Sequence, residues 1–157
     1  MPNDVPDRMR CNGRGLKPQF APKEQLFHRV NKLQCQVLTG NGLLLNMRVL
    51  DMSVNRQGDD GQPNDVIIGF PRWGIIRFDV DSVPSPYVVP DRNTPRSIQF
   101  AVEHDPICKV DDQNYYHCEI RAFASDRTRL TKLPDGAKKW FRAELAKVAS
   151  LERPPEE

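Results

Sequence analysis

At 157 residues, 38% of them hydrophobic and 28% charged, the chain is long enough for one buried core and too apolar to remain disordered. The 23 Lys and Arg against 21 Asp and Glu leave a net charge of +2, too mild for a general polyanion binder. No stretch reaches the roughly 18 apolar residues of a membrane span, and the polar run after Met1 has no apolar block of a secretory signal.

Residues 1–20 carry Pro2, Pro6, Gly13, Gly15 and Pro18 among scattered charges and read as a flexible arm ahead of a single domain over 21–151. Pro22 opens a predicted helical turn that docks the arm through Leu26, Phe27 and Val30. Leu33, Cys35 and Val37 alternate with Gln34 and Gln36, which predicts a strand with Cys35 inward; Gly40, Asn41 and Gly42 supply a hairpin turn, and 43–54 returns. Leu45, Met47 and Val49 share one parity and Leu50, Met52 and Val54 the other, so a bulge or bend is expected near Val49. A polar loop over 57–64 and an apolar run over 66–70 precede a strand over 73–80, with Ile76, Phe78 and Val80 on one side.

Pro84, Pro86, Pro90 and Pro95 make 81–96 a stiff connection. A long hairpin follows over 97–123. Asp135 is the expected N-cap of a helix over 137–151, whose stripe is Phe141, Leu145 and Val148, with Trp140 and Leu151 beside it; 152–157 is a tail. Five or six strands with a single terminal helix give a mainly β fold, an antiparallel sheet either curled or built as a β-sandwich, with an α+β two-layer arrangement as the alternative.

The 97–123 hairpin holds the densest site chemistry. A ribonuclease could use His104 and His117 as base and acid, with Arg56 or Arg121 stabilising the phosphate. Alternation opposes this, because His104 falls on the apolar side with Ile98, Phe100 and Val102, whereas His117 lies opposite Tyr116, Cys118 and Ile120. Zinc would draw on His104, Cys108 and His117 or Cys118, with a fourth ligand from Cys11, Cys35 or His28, but no spacing supports such a set, and neither metal nor cofactor is expected. With no C-x-x-C pair and no export signal, the four cysteines read as thiols in the cytoplasm.

Ser53, Val54, Asn55 and Arg56 end a strand ahead of a polar loop, a common place for binding groups, although a strand-to-turn transition alone favours Asn there. Arg77, Asp79, Gln99, Glu103, His117, Glu119 and Arg121 form a polar ladder that sheet pairing alone explains. Arg127, Arg129, Lys132, Lys138, Lys139 and Arg142 form a basic segment that could bind nucleic acid, with Trp140 and Phe141 interleaved. No phosphate loop, nucleophile elbow or metalloprotease helix occurs. The reading that best fits these features is a noncatalytic protein-interaction module or accessory subunit of a larger complex. Trp73, Tyr87 and Trp140 are its candidate contact residues, together with the arm and the proline-rich connection.

Overall fold

A computed structural model describes residues 5–40, 42–90 and 96–156. The chain is mainly β, with an antiparallel sheet and one helix near the C-terminus. Its strands are β1 (Gln25–Val30), β2 (Cys35–Val37), β3 (Leu43–Leu45), β4 (Met52–Arg56), β5 (Gly74–Asp79), β6 (Tyr87–Val89), β7 (Arg96–His104), β8 (Ile107–Lys109), β9 (Asp112–Asn114), β10 (His117–Ala124) and β11 (Ser150–Arg153), and its helix is α1 (Asp135–Val148). Seven strands make one curled sheet in the order β11-β5-β1-β4-β10-β7-β6, while β2-β3 and β8-β9 are separate two-stranded ribbons.

Alternation sets the two faces. Leu26, Val54, Phe78, Phe100, Cys118 and Ile120 point to one side and pack against Ala137, Phe141 and Leu145 of α1. The register carries Phe27, Asn55, Arg77, His117 and Glu119 to the other side. There Phe27 and Ile75 are roofed by Val66 and Ile67 from the short helical turn Pro63–Ile67. Sheet positions covered on both faces lose the simple in-and-out hydropathy pattern. This explains why 25–30, expected to contain a helical turn, is a central strand.

The hairpin about Gly40 forms as expected and buries Cys35, while Asn41 lies outside the described residues. Of the bulge or bend expected in 43–54, the chain takes the bend. The chain leaves the ribbon after Leu45, buries Met47 and Val49, turns at Asp51 with φ 53°, and enters the main sheet as β4. The helix also differs from expectation at both ends. Pro134 takes the N-cap position with Asp135 in the first turn, Ala149 is extended (φ −81°, ψ 147°), and Leu151 belongs to β11 beside Ile76. Val148 stays 45% exposed, so the buried stripe is Ala137, Phe141 and Leu145.

The described part of the arm, 5–20, is fastened rather than flexible. Cys11 and Cys108 form a disulfide with their Cα atoms 5.7 Å apart, which corrects the thiol reading for these two; Cys35 and Cys118 are buried thiols. Arg8 Nη2 lies 2.5 Å from Asp65 Oδ1, and the Tyr115 amide donates to the Met9 carbonyl at 2.8 Å. Arg14 lies 3.9 Å above the Tyr115 ring and donates to the carbonyls of Arg8 and Arg10. No described helix is long and apolar enough to cross a membrane.

Candidate functional site

His104 and His117 sit on the two different faces of the sheet, since Cys118, not His117, is the register partner of His104. The His104 ring is buried and fully engaged. Its Nε2–H donates to the Tyr115 carbonyl at 2.6 Å, and its Nδ1 accepts the Lys17 amide at 3.0 Å. Burial pushes its pKa below the ordinary 6.5, against the opposing effect of the Tyr115 carbonyl. An imidazole with its proton and its lone pair both committed has nothing to exchange with a substrate.

The two arginines considered with this pair are also separated. Arg56, 4% exposed, faces Glu24 with Nε to Oε2 at 2.8 Å and Nη2 to Oε1 at 3.0 Å, donates to the carbonyls of Lys17 and Gln19, and stacks on Phe20 at 4.0 Å. It clamps the end of the arm to the sheet. Arg121 lies on the His117 side among Glu103 at 2.8 Å, Asp105 at 2.9 Å and Glu119 at 3.5 Å. Three carboxylates around one guanidinium repel a phosphate. The four-residue phosphate site weighed as an alternative is therefore not assembled: alternation divides the histidines, as the sequence indicated, and each arginine is neutralised locally. The zinc set fails for a related reason, since Cys108 is bonded to Cys11 and His104 has no free nitrogen. Among the described residues no group of three or more His, Cys, Asp or Glu side chains is placed to hold a metal.

The face that carries His117 has a groove of about 920 Å³, the upper end of the range typical of ligand pockets. Strand β4 contributes Ser53 and Asn55, β10 contributes His117, β9 contributes Gln113 and Asn114, and Phe70 and Trp73 form an aromatic end. Arg29 stacks over Phe70 at 3.8 Å and extends this wall. Met9 and Val5 of the arm close the side next to Asp65, held there by the Arg8 ion pair and the Cys11 disulfide.

The polar groups in the groove have assignable orientations. The Tyr116 amide donates to Asn114 Oδ1 at 3.2 Å, so Asn114 must present Nδ2, which donates to Asn55 Oδ1 at 2.7 Å. Asn55 Nδ2 is then a buried donor with no partner among the described residues. Buried polar groups are nearly always satisfied, and this nitrogen, with under 1 Å² of exposed surface, lies just behind the groove lining. Beside it, His117 Nδ1–H donates to the Asp105 carbonyl at 2.8 Å, which leaves Nε2 as an acceptor for the Ser53 hydroxyl at 3.3 Å. On the rim, His28 Nδ1–H donates to the Ser53 carbonyl at 2.6 Å where β1 and β4 part beyond Phe27. Burial pulls the His28 pKa down to about 4, although the residue as a whole is only half-buried.

The remaining sequence candidates are dispersed. Trp73 is in the groove wall, whereas Tyr87 and Trp140 pack on each other at 5.5 Å on the helix side, with Trp140 stacked on Phe100 at 6.4 Å. The three aromatics do not form one patch. Exposed apolar side chains gather instead on and around the β2-β3 ribbon, at Leu33, Val37, Leu38 and Leu44. In the basic segment, Arg129 pairs with Asp51 at 3.2 Å, and Arg127 and Lys139 are exposed. Lys132, Lys138 and Arg142 line a second, smaller hollow.

Ser53 and Asn55 were within reach of the sequence, because i and i+2 on a strand share a face, whereas His117 joins them only through the pairing of β10 with β4. Arg29, Asp65 and Asn114 were not, because their roles depend on which distant segments the fold brings together. Comparison with protein-family models, curated proteins and solved structures gives no match, so the site is defined by its own geometry.

Proposed function

We propose that this protein is a noncatalytic interaction module, suited to an accessory subunit of a larger complex, that takes a polypeptide segment of a protein partner into the groove beside β4. The observation that carries this reading is Asn55 Nδ2, unpartnered among the described residues and set just behind the lining of a groove that also holds Phe70, Trp73, Gln113 and Asn114, where a small shift of the side chain would meet a carbonyl-type acceptor. A peptide supplies regularly spaced carbonyls, and side chains for Phe70 and Trp73. For the compartment, the Cys11–Cys108 bond supports oxidising surroundings over the cytoplasm expected from the sequence, since a reducing pool would keep both as thiols.

Display of random peptides against the immobilised protein tests the reading. Enriched peptides should lose about tenfold or more in affinity for Asn55→Asp, which keeps the acceptor for Asn114 but replaces the free donor, and for Trp73→Ala. Peptides held equally well by both variants would remove the groove from consideration.

A second reading rests on the Ser53–His117 hydrogen bond, with the imidazole oriented by the Asp105 carbonyl. Such a pair could serve acyl transfer: Ser53 Oγ bonds to an ester carbonyl carbon, its proton passes to His117 Nε2, the departing alcohol takes that proton, and water then releases the acid. A fluorophosphonate probe should label Ser53 in the native protein and not in His117→Gln. Labelling no greater than in unfolded protein would discard the reading.

A further inference from the structure

We propose that the hollow between the β3–β4 connection and the first turns of α1 binds a compact, multiply charged phosphate ester. It encloses about 450 Å³, and four of its lining residues, Arg48, Lys132, Lys138 and Arg142, are cationic while none is acidic. Val49, Leu50 and Leu133 supply apolar lining. On a molecule whose net charge is only +2, this is a marked local excess. Like charges gathered around a concavity repel one another and concentrate the field on whatever anion enters.

The side chains are placed for such a ligand. Arg142 Nε donates to the Met47 carbonyl at 2.7 Å, which fixes the guanidinium while sparing its terminal nitrogens, and these match phosphate oxygens in pairs. Arg48 and Lys132 make no ion pair with a described residue. Lys138 Nζ reaches Asp135 only at 3.9 Å, and that carboxylate is 91% exposed, so the contact is easily exchanged. Arg48 comes from a segment some ninety residues away in sequence, so the hollow gains its fourth cation, beside three from the basic segment, only through the fold.

The shape favours a small ligand over nucleic acid. The four cations line one small hollow, Arg129 is diverted to Asp51, and the hollow has no aromatic lining on which a base could stack. Trp140, the nearby aromatic, is committed to Tyr87 and Phe100.

Calorimetric titration with inorganic tripolyphosphate tests this, with Arg48→Glu, Lys132→Glu and, outside the hollow, Lys139→Glu, all carrying the same charge change. One-to-one binding is expected, weakened about tenfold or more by each of the first two and less than about twofold by the third. Absence of binding, or equal weakening in all three variants, would overturn the site. Tighter binding of a single-stranded oligothymidylate than of tripolyphosphate at the same salt would overturn the ligand class in favour of nucleic acid.

Discussion

Removing either member of the Glu24–Arg56 pair strands a charge where water scarcely reaches, so Glu24→Gln or Arg56→Met should cost about 3–5 kcal/mol in urea unfolding. A loss under about 1 kcal/mol would show that the arm is not anchored there. Burial by itself would raise the Glu24 carboxyl, but Arg56 and the amides of Gly58 and Ala21 outweigh it and hold it below the ordinary 4.5. A depressed carboxylate stabilises the fold above its unfolded value, and that contribution fades as the pH falls through the folded one. His28 acts earlier on the same descent. Its folded value of about 4 lies below the unfolded 6.5, so its contribution is complete above 6.5 and is lost as the pH drops toward 4. His28→Asn keeps a donor near the Ser53 carbonyl without the titration, so its melting temperature should fall less than the wild type's between those two values. Parallel curves would show that the ring titrates freely.

Among the elements, α1 and the fastened arm make separable contributions. Phe141 is fully buried against Phe100 at 4.7 Å, so Phe141→Ala should destabilise by about 3–5 kcal/mol, while Lys139→Ala on the exposed face should change stability by less than about 0.5 kcal/mol. The Cys11–Cys108 bond spans 97 residues, and replacing both cysteines with serine should cost about 2–5 kcal/mol and free the arm to proteolysis near Arg14. Unchanged stability and digestion would mean that the ion pairs hold the arm without it. The long β7 and β10 strands were legible because both alternate over eight or nine residues against a single apolar face. Central β1 was not, because Phe27 and Leu26 are buried on opposite sides. The end of α1 was misread because Leu151 follows Val148 at a helical spacing, and only the pairing of Leu151 with Ile76 reveals that it has become an edge strand. The disulfide was hidden for a different reason: two cysteines 97 positions apart carry no spacing signal, and the arm must first fold back over β8 to bring them together.

For the whole molecule, the sheet separates two kinds of surface. One face is closed by α1 and carries the apolar core, with the cationic hollow at its margin; the other is closed only in part, by the Pro63–Ile67 turn and the arm, and the remaining opening is the groove. Alternation, read along 97–123, already separated the histidines. It could not indicate which of them would face open space. That depended on the arm, whose Lys17 amide closes over His104, and on β4, whose Ser53 reaches His117. The most direct measurement is the NMR signal of the Asn55 side-chain amide while a display-selected peptide is titrated into labelled protein. Its two protons should shift downfield and gain protection from exchange as the unpaired donor finds a carbonyl. If they stay fixed while resonances of Leu38 and Leu44 on the β2-β3 ribbon move, the partner docks elsewhere and the groove is not the binding site.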